Sequence, residues 1–301
     1  MLIYFLNVVC SVIFLMNICE FNRDGILQDV KAEAAGKELV MAVVQVGNDP
    51  ASDVYVRNKK KTAEECGIEC IHCNLREDAS YSDVVKIIQG LNEDSKVTGL
   101  MLQLPLPEHL KQFEQKFLDM IDWKKDIDGL STESVGRLWS NKRCLKPATA
   151  QGIMSLLDED LHDHTVAIIN RSRLIGKPLV KMLEERNATP VLCHSKTDKN
   201  FMTLLLHKAD IIITATGQPK WLSLEDCVTH TIVGDCCNVL QIIDAGITRD
   251  LNGKLCGDVD KDSFAFTSVQ VTPVPKGVGI LTTAFVIKNV VEAYKLQHSY
   301  D

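Results

Sequence analysis

The chain is 301 residues long, 46% hydrophobic and 24% charged, which is enough for two domains of ordinary globular composition. Its formal net charge of -7 excludes broad binding to a phosphate backbone, so nucleic acid is not an expected partner and an anionic cofactor must be met by local positive charge. Eleven cysteines without period point to reduced thiols in a cytosolic setting rather than to a disulfide scaffold.

Residues 1–19 are nearly all apolar and carry no charge before Glu20. The stretch is borderline in length for a transmembrane helix, lacks the basic start of a secretory signal, and is interrupted by Asn7 and Asn17. A true anchor, a targeting sequence and a misassigned start all stay open. Membrane association is expected only if the segment is a genuine anchor; otherwise the expected setting is the cytoplasm.

The apolar run 39–46 followed by Gly47-Asn48-Asp49-Pro50 reads as a buried strand ending in a turn. A helix comes next, and Tyr55 and Lys59, four residues apart, share one face of it. Taken alone, Lys59, Lys60 and Lys61 would be a solvated charge run. Cys70-Ile71-His72-Cys73 has C-x-x-C spacing, but no second pair occurs at finger spacing and 68–74 reads better as a strand, so no metal site is expected. A third strand, 98–103, closes at Gln103 before Leu104-Pro105-Leu106-Pro107, and Asp126 and Asp128 lie shortly beyond. Apolar runs alternating with helical segments make a βαβ rhythm, and polar groups at strand ends are where α/β sheets do chemistry.

A second series begins near Thr149, with strands at 165–169, 189–193, 211–215, 241–244 and 268–272 and a helix at 175–186 between the first two. The turn Asn170-Arg171-Ser172-Arg173-Leu174-Ile175-Gly176-Lys177-Pro178 joins a strand to that helix, where backbone N–H groups can hold an anion. It is not a standard G-x-G-x-x-G fingerprint. A final helix is expected over 282–297.

Seven motifs, in order, carry a specific resemblance. They are Val46-Gly47 through Lys59, Gln103-Leu104-Pro105-Leu106, Lys125-Asp126-Ile127-Asp128-Gly129-Leu130, Arg171-Ser172 with Gly176 and Pro178, Cys193-His194-Ser195-Lys196-Thr197, Thr216-Gly217-Gln218-Pro219, and Thr272-Pro273-Val274-Pro275 with Gly277-Val278-Gly279. Together they resemble the bifunctional methylenetetrahydrofolate dehydrogenase/methenyltetrahydrofolate cyclohydrolase family over most of the chain after about residue 25. The resemblance implies an α/β protein of two βα domains flanking a cleft, the second a Rossmann-like dinucleotide-binding domain with a parallel sheet. Beyond the apolar segment 1–19, whose status stays open, the expected boundaries are a folate-binding catalytic domain 20–146 completed by 282–301, and an NAD(P)-binding domain 147–281. It further implies tetrahydrofolate substrates, a homodimer through the nucleotide-binding domains, oxidation of 5,10-methylenetetrahydrofolate to the methenyl form, and hydrolysis of that product to 10-formyltetrahydrofolate.

Under that resemblance Lys59 is the expected proton-transfer group, its pKa lowered by partial burial. Gln103 orients Lys59 or the attacking water, Tyr55 stacks on the pterin, and Asp128 accepts hydrogen bonds from the amino-pyrimidine edge. The plainer readings are a packing residue for Tyr55, a strand-end cap for Gln103, and an Asx turn with Gly129 for Asp128. Val56, Arg57, Asn58, Leu102 and Leu104 complete the expected substrate side, with the loop Pro275-Lys276-Gly277-Val278-Gly279. Asn170, Arg171, Ser172, Ser195, Thr216, Gly217 and Ile247 make the expected cofactor side. No acidic residue directly ends the strand 189–193, and Arg171 or Arg173 could join Ser195 around a 2′-phosphate, which favours NADP over NAD. The alternatives are exposed surface arginines and a serine that simply caps a helix.

Four departures from the family pattern stand out. Asn170 replaces a glycine, tolerable if the turn needs positive φ. Lys276 replaces another glycine and Ile280 a proline. The chain also runs long between Trp221 and Ile243, with Thr231-Ile232-Val233-Gly234-Asp235-Cys236-Cys237-Asn238 ahead of the expected Ile243-Asp244-Ala245-Gly246-Ile247. These departures keep two alternatives in play, a monofunctional cyclohydrolase and a non-catalytic folate- or nucleotide-binding relative.

Overall fold

The computed structural model describes residues 2–231, 234–236, 238–250 and 253–299. The chain divides into two compact units, Asp24–Ala148 with Thr282–Asp301, and Met1–Arg23 with Thr149–Leu281. A long helix, α1 (Leu2–Ala34), opens the chain. The question of an anchor within 1–19 falls mostly on side chains, those of 1–17, that lie outside the described residues. Among the described residues no helix is long and apolar enough to cross a membrane.

The first unit is built on a parallel sheet of β1 (Val40–Val46), β2 (Glu69–Leu75) and β3 (Gly99–Leu102), in the order β2-β1-β3. Every residue of the central strand β1 is buried, as an apolar run covered on both faces requires. Successive side chains point to opposite faces, so Met41 and Val43 enter one core cluster and Ala42 and Val44 the other. The same alternation separates Cys70 from Cys73, which pack against different clusters. A strand sends residues three apart to opposite sides, so the two thiols of the C-x-x-C spacing do not face one another.

Helices α2 (Pro50–Glu65) and α3 (Tyr81–Glu93) make the crossovers, and α4 (Glu108–Lys111), α5 (Glu114–Met120) and α6 (Thr132–Trp139) come after β3. Leu27, Val30 and Ala34, spaced as one helical face, join the first cluster from the end of α1.

The second unit starts within α7 (Ala148–Met154) and carries a five-stranded sheet. Its strands are β4 (Thr165–Ile169), β5 (Thr189–Cys193), β6 (Ile211–Thr214), β9 (Gln241–Asp244) and β12 (Gln270–Val271), all parallel, in the order β12-β9-β6-β4-β5. Helices α8 (Gly176–Glu184) and α9 (Lys199–Lys208) connect β4, β5 and β6. An open parallel sheet in which the chain steps from β4 out to β5 and then returns to the other side of β4 at β6 is a doubly wound arrangement, and the expected Rossmann-like α/β fold is present. Part of the extra chain before β9 forms a separate hairpin, β7 (Thr229–Thr231) with β8 (Gly234–Cys236). Residues 232, 233 and 237 lie outside the described set. The hairpin leaves the register of β9 intact, since Ile243 pairs Ile213 and Asp244 pairs Thr214 without a break.

A short ribbon, β10 (Thr248–Arg249) with β11 (Leu255–Cys256), completes this unit. The last helix, α10 (Val278–His298), places Ala284, Ile287, Val290, Val291 and Leu296 in the first cluster, with Leu27 and Met41.

Candidate active site

In the first unit the site begins with a turn. Gly47 takes φ +82, and Asp49 caps α2 by accepting the Ser52 N–H at 2.8 Å, with Pro50 opening the helix. Gln45, buried on β1, ties this corner together: its amide donates to Asp53 Oδ1 at 2.7 Å, and its oxygen pairs with His72 Nε2 at 3.0 Å. Gln45 is not singled out in the sequence and His72 appears there only within the C-x-x-C motif, although a polar residue inside the run Val40–Val46 is the available signal.

The helix start so fixed determines which lysine of the run turns inward. Ser52, Val56, Lys59 and Ala63 form the buried stripe of α2, whereas Lys60 and Lys61 stay exposed and pair with Glu64 and Glu65 at 3.9 Å each. Lys59 is 8% exposed and donates to Gln103 Oε1 at 2.9 Å. Gln103 is held in turn: its backbone N–H donates to Val44 O at 2.8 Å and its side-chain amide to Leu104 O at 2.7 Å, just ahead of the cis peptide Leu104-Pro105. Burial lowers the Lys59 pKa, with the opposing charge of Asp128 and a smaller contribution from Cys70 pulling it back up. Burial raises the Asp128 pKa, Lys59 opposes, and Asp126 adds to the rise.

Asp128 reaches this place because 125–129 is stitched beside β3. Leu100 N–H donates to Lys125 O at 2.7 Å, and Ile127 N–H to Leu100 O at 3.3 Å. Gly129 then turns the chain at φ +64, where a Cβ would stand 2.5 Å from Leu145 O. Asp126 is buried, accepting from Ser131 N at 2.8 Å and Ser134 Oγ at 2.7 Å, and its Oδ1 has no partner among the described residues.

Tyr55 is 39% exposed, one turn before Lys59, its phenol pushed upward in pKa by burial. Arg57 and Asn58 are exposed, and Leu104 is half-buried. Val56 and Leu102 are 3% and 1% exposed and belong to the two core clusters, so they support the site from within. A buried amine that can lose its proton, a fixed amide beside it, a carboxylate and an accessible aromatic ring together suit proton transfer on a flat polar heterocycle.

In the second unit the predicted turn after β4 forms, by a different device than expected. Asn170 does not take positive φ. Its side chain holds the turn instead: Oδ1 accepts from Ser172 N and Ser172 Oγ at 2.8 Å each and from Gly176 N at 3.0 Å, while Nδ2 donates to Ala215 O at 2.6 Å. The side chain is drawn into the turn. A Cβ at Gly176 would stand 2.0 Å from Asn170 O, so glycine is required there.

Arg171 is exposed and Arg173 half-buried on this turn, and Ser195 and Lys196 are exposed after β5. The cap of α9 is Asp198, which accepts the Phe201 N–H at 3.0 Å, so Ser195 is not spent on capping. Thr216 and Gly217 come after β6, Gly217 at φ +72 with nothing within 4 Å of where its Cβ would be. Ile247 is 44% exposed after β9, and a Cβ at Gly279 would meet its Cδ1 at 3.5 Å. On the loop before α10, Pro275 and Lys276 are exposed and Gly277 and Val278 buried. Lys276 takes φ +75 and pairs with Glu20 Oε1 at 3.4 Å. The donor set after β4 and β5 consists of guanidinium, ammonium and hydroxyl groups with no carboxylate before Asp198, which fits a dinucleotide bearing an extra phosphate.

The sequence profile described as "Tetrahydrofolate dehydrogenase/cyclohydrolase, NAD(P)-binding domain" matches residues 147–298, and its companion, the catalytic domain, matches 17–128. The chain belongs to the tetrahydrofolate dehydrogenase/cyclohydrolase family. Within that family it is 40% identical over 277 residues to the bifunctional protein FolD of Agathobacter rectalis, covering 91% of this chain and 95% of that one. The bifunctional 5,10-methylenetetrahydrofolate dehydrogenase/cyclohydrolase of Thermoplasma acidophilum matches with a TM-score of 0.82 at 30% identity, over 92% of this chain and 97% of that one. The Trypanosoma brucei enzyme, whose structure holds NADP and an inhibitor, matches with a TM-score of 0.81 at 26% identity, over 95% and 97%.

Proposed function

We propose that this chain oxidises 5,10-methylenetetrahydrofolate to 5,10-methenyltetrahydrofolate with NADP and hydrolyses that product to 10-formyltetrahydrofolate. The observation that carries the reading is the buried Lys59–Gln103 pair beside Asp128. Family membership and the NADP-bound relative support both the activities and the cofactor.

Bound NADP supplies the acceptor for the hydride that leaves the methylene carbon. Arg171, Arg173 and Ser195 would hold its extra phosphate, and Asn170, Ser172, Thr216, Gly217 and Ile247 would line the remainder. In the hydrolysis, water attacks the cationic bridge carbon and Lys59, as the neutral amine, takes the proton released. The resulting ammonium returns a proton to N5 as the bond from the bridge carbon to N5 breaks, leaving the formyl group on N10. The net reaction releases one proton. Gln103 keeps Nζ in one position through both transfers, because Gln103 is itself fixed by two further hydrogen bonds. Tyr55 stacks on the pterin, and Asp128 accepts from its amino-pyrimidine edge. By the family resemblance, Pro275-Lys276-Gly277-Val278-Gly279 is a further segment proposed to touch substrate.

A cytoplasmic homodimer belongs to the same reading, as the family resemblance implies. The test is an absorbance assay with methylenetetrahydrofolate and NADP or NAD, run beside a Lys59→Met variant. Cofactor reduction followed by Lys59-dependent decay of the methenyl signal is the expected result. Decay of supplied methenyltetrahydrofolate without any reduction would leave a cyclohydrolase only, and neither activity in folded protein would leave a binding relative.

A further inference from the structure

Two carboxylates in the second unit are buried and have no part in the chemistry above. Asp258 is fully buried and Asp244 is 3% exposed. A charge removed from water persists only where hydrogen bonds replace the water, and the donors here form a pattern. The Asp258 carboxylate accepts from the end of β6 and the turn after it. Thr214 Oγ1, at 2.7 Å, Thr216 N–H and Thr216 Oγ1, at 2.9 Å, donate to Oδ2, and Gly217 N–H donates to Oδ1 at 3.0 Å.

Asp244 does the complementary task. Its Oδ1 accepts Gly246 N–H at 2.9 Å and Asp258 N–H at 3.1 Å, and its Oδ2 accepts Val259 N–H at 2.9 Å. The two carboxylates lie flush against backbone. A Cβ at Gly246 would stand 2.1 Å from Asp258 Oδ1, and one at Gly257 would stand 1.9 Å from Asp244 Oδ2. Asp258 therefore lies between the turn carrying Thr216 and Gly217 and the loop carrying Ile247, at the carboxyl ends of parallel strands where nucleotides bind.

We propose that Asp258 is a positioning residue for the dinucleotide side: its carboxylate sets the Thr216-Gly217 turn against the Gly246-Ile247 loop, with Asp244 locking the segment that carries it. This rests on the cofactor assignment made above. The N–H groups of Thr216 and Gly217 are turned inward to Asp258, so the outer face of the turn offers the cofactor a fixed shape rather than those donors. Holding that shape in advance lowers the ordering cost of binding.

The test uses the full chain with Asp258→Asn and, separately, Thr214→Val, which removes one donor and leaves the carboxylate. NADP affinity is read by calorimetric titration, KM and kcat by the dehydrogenase assay, and hydrolysis of supplied methenyltetrahydrofolate without cofactor serves as the internal control. The expected result is a tenfold or greater rise in the Kd and KM for NADP in Asp258→Asn, a smaller rise in Thr214→Val, and hydrolysis within twofold of the parent in both. Equal loss of both activities in Asp258→Asn, or an unchanged NADP affinity in either folded variant, overturns the proposal. If Asp258→Asn does not fold, Thr214→Val decides alone. Failure of the parent chain to bind NADP overturns the cofactor assignment and this proposal with it.

Discussion

Lys59 Nζ donates to Gln103 Oε1 across 2.9 Å, joining the buried stripe of one helix to the end of a strand 44 residues further along the chain. The amine is thereby held in place while burial keeps it easy to deprotonate, the combination a reversible proton carrier needs.

The hydrolysis rate should therefore carry an acid limb. In the proposed mechanism neutral Lys59 is the base, so the rate should fall as pH drops through its lowered pKa. Asp128 is the anion that draws this pKa back up. Asp128→Asn should move the acid limb to lower pH, whatever it does to substrate affinity. A pH profile of kcat in parent and variant checks this, and a limb that stays put or moves up refutes the assignment.

Removing the buried amine should cost activity and not stability. Lys59→Met is expected to reduce hydrolysis at least a hundredfold, while its unfolding free energy falls by no more than about 1 kcal/mol, because a buried amine whose desolvation is only partly offset is replaced by an apolar chain of similar length. Urea unfolding at neutral pH, beside the rate measurement, tests both halves.

Two glycines at positive φ should respond differently to a methyl group. Gly129→Ala drives Cβ to 2.5 Å from Leu145 O and 2.9 Å from the Lys146 carbonyl carbon, both backbone, whereas Gly217→Ala meets open space. The first should cost about 3–4 kcal/mol and the second about 1 kcal/mol, the latter for the left-handed conformation alone. Denaturation midpoints with a common slope give the comparison.

Asp244 links stability to pH in the second unit. Burial raises its pKa to about 6 against the hydrogen bonds from Val259, Asp258 and Gly246. The native state then binds a proton that the unfolded chain releases near the ordinary value of 3.8, so the contribution is full below that value and is lost as pH rises through about 6. Its size is on the order of 1–3 kcal/mol. Unfolding at pH 4.5 and 7.5 should show a smaller pH dependence in Asp244→Asn than in the parent; an equal dependence would falsify the linkage.

Asn170→Asp should weaken the cofactor side selectively. The variant keeps an acceptor for Ser172 and Gly176 but loses the donor to Ala215 O and adds a negative charge to the turn proposed to face the cofactor phosphates. A tenfold or greater rise in the KM for NADP, with hydrolysis of supplied methenyltetrahydrofolate unchanged, is the expected pattern.

Sequence alone determined those features of this protein that depend on neighbours along the chain. Strands Thr165–Ile169 and Thr189–Cys193 were legible from local composition, and Tyr55 and Lys59 share a face simply because they are four apart. Even the inward turn of Lys59 rather than Lys60 obeys helical spacing with Val56 and Ala63. Tertiary structure decided the rest, because it depends on which distant atoms meet. Val56 and Leu102 went to the core clusters, and Cys70 and Cys73 to opposite faces of a covered sheet. Asn170 held its turn by side-chain hydrogen bonds reaching 45 residues away rather than by positive φ. Asp244 and Asp258 sit at a strand end and in a loop without periodicity, and nothing local marks them. Their burial and the donors that compensate it exist only once the ends of separate strands are brought side by side in one sheet.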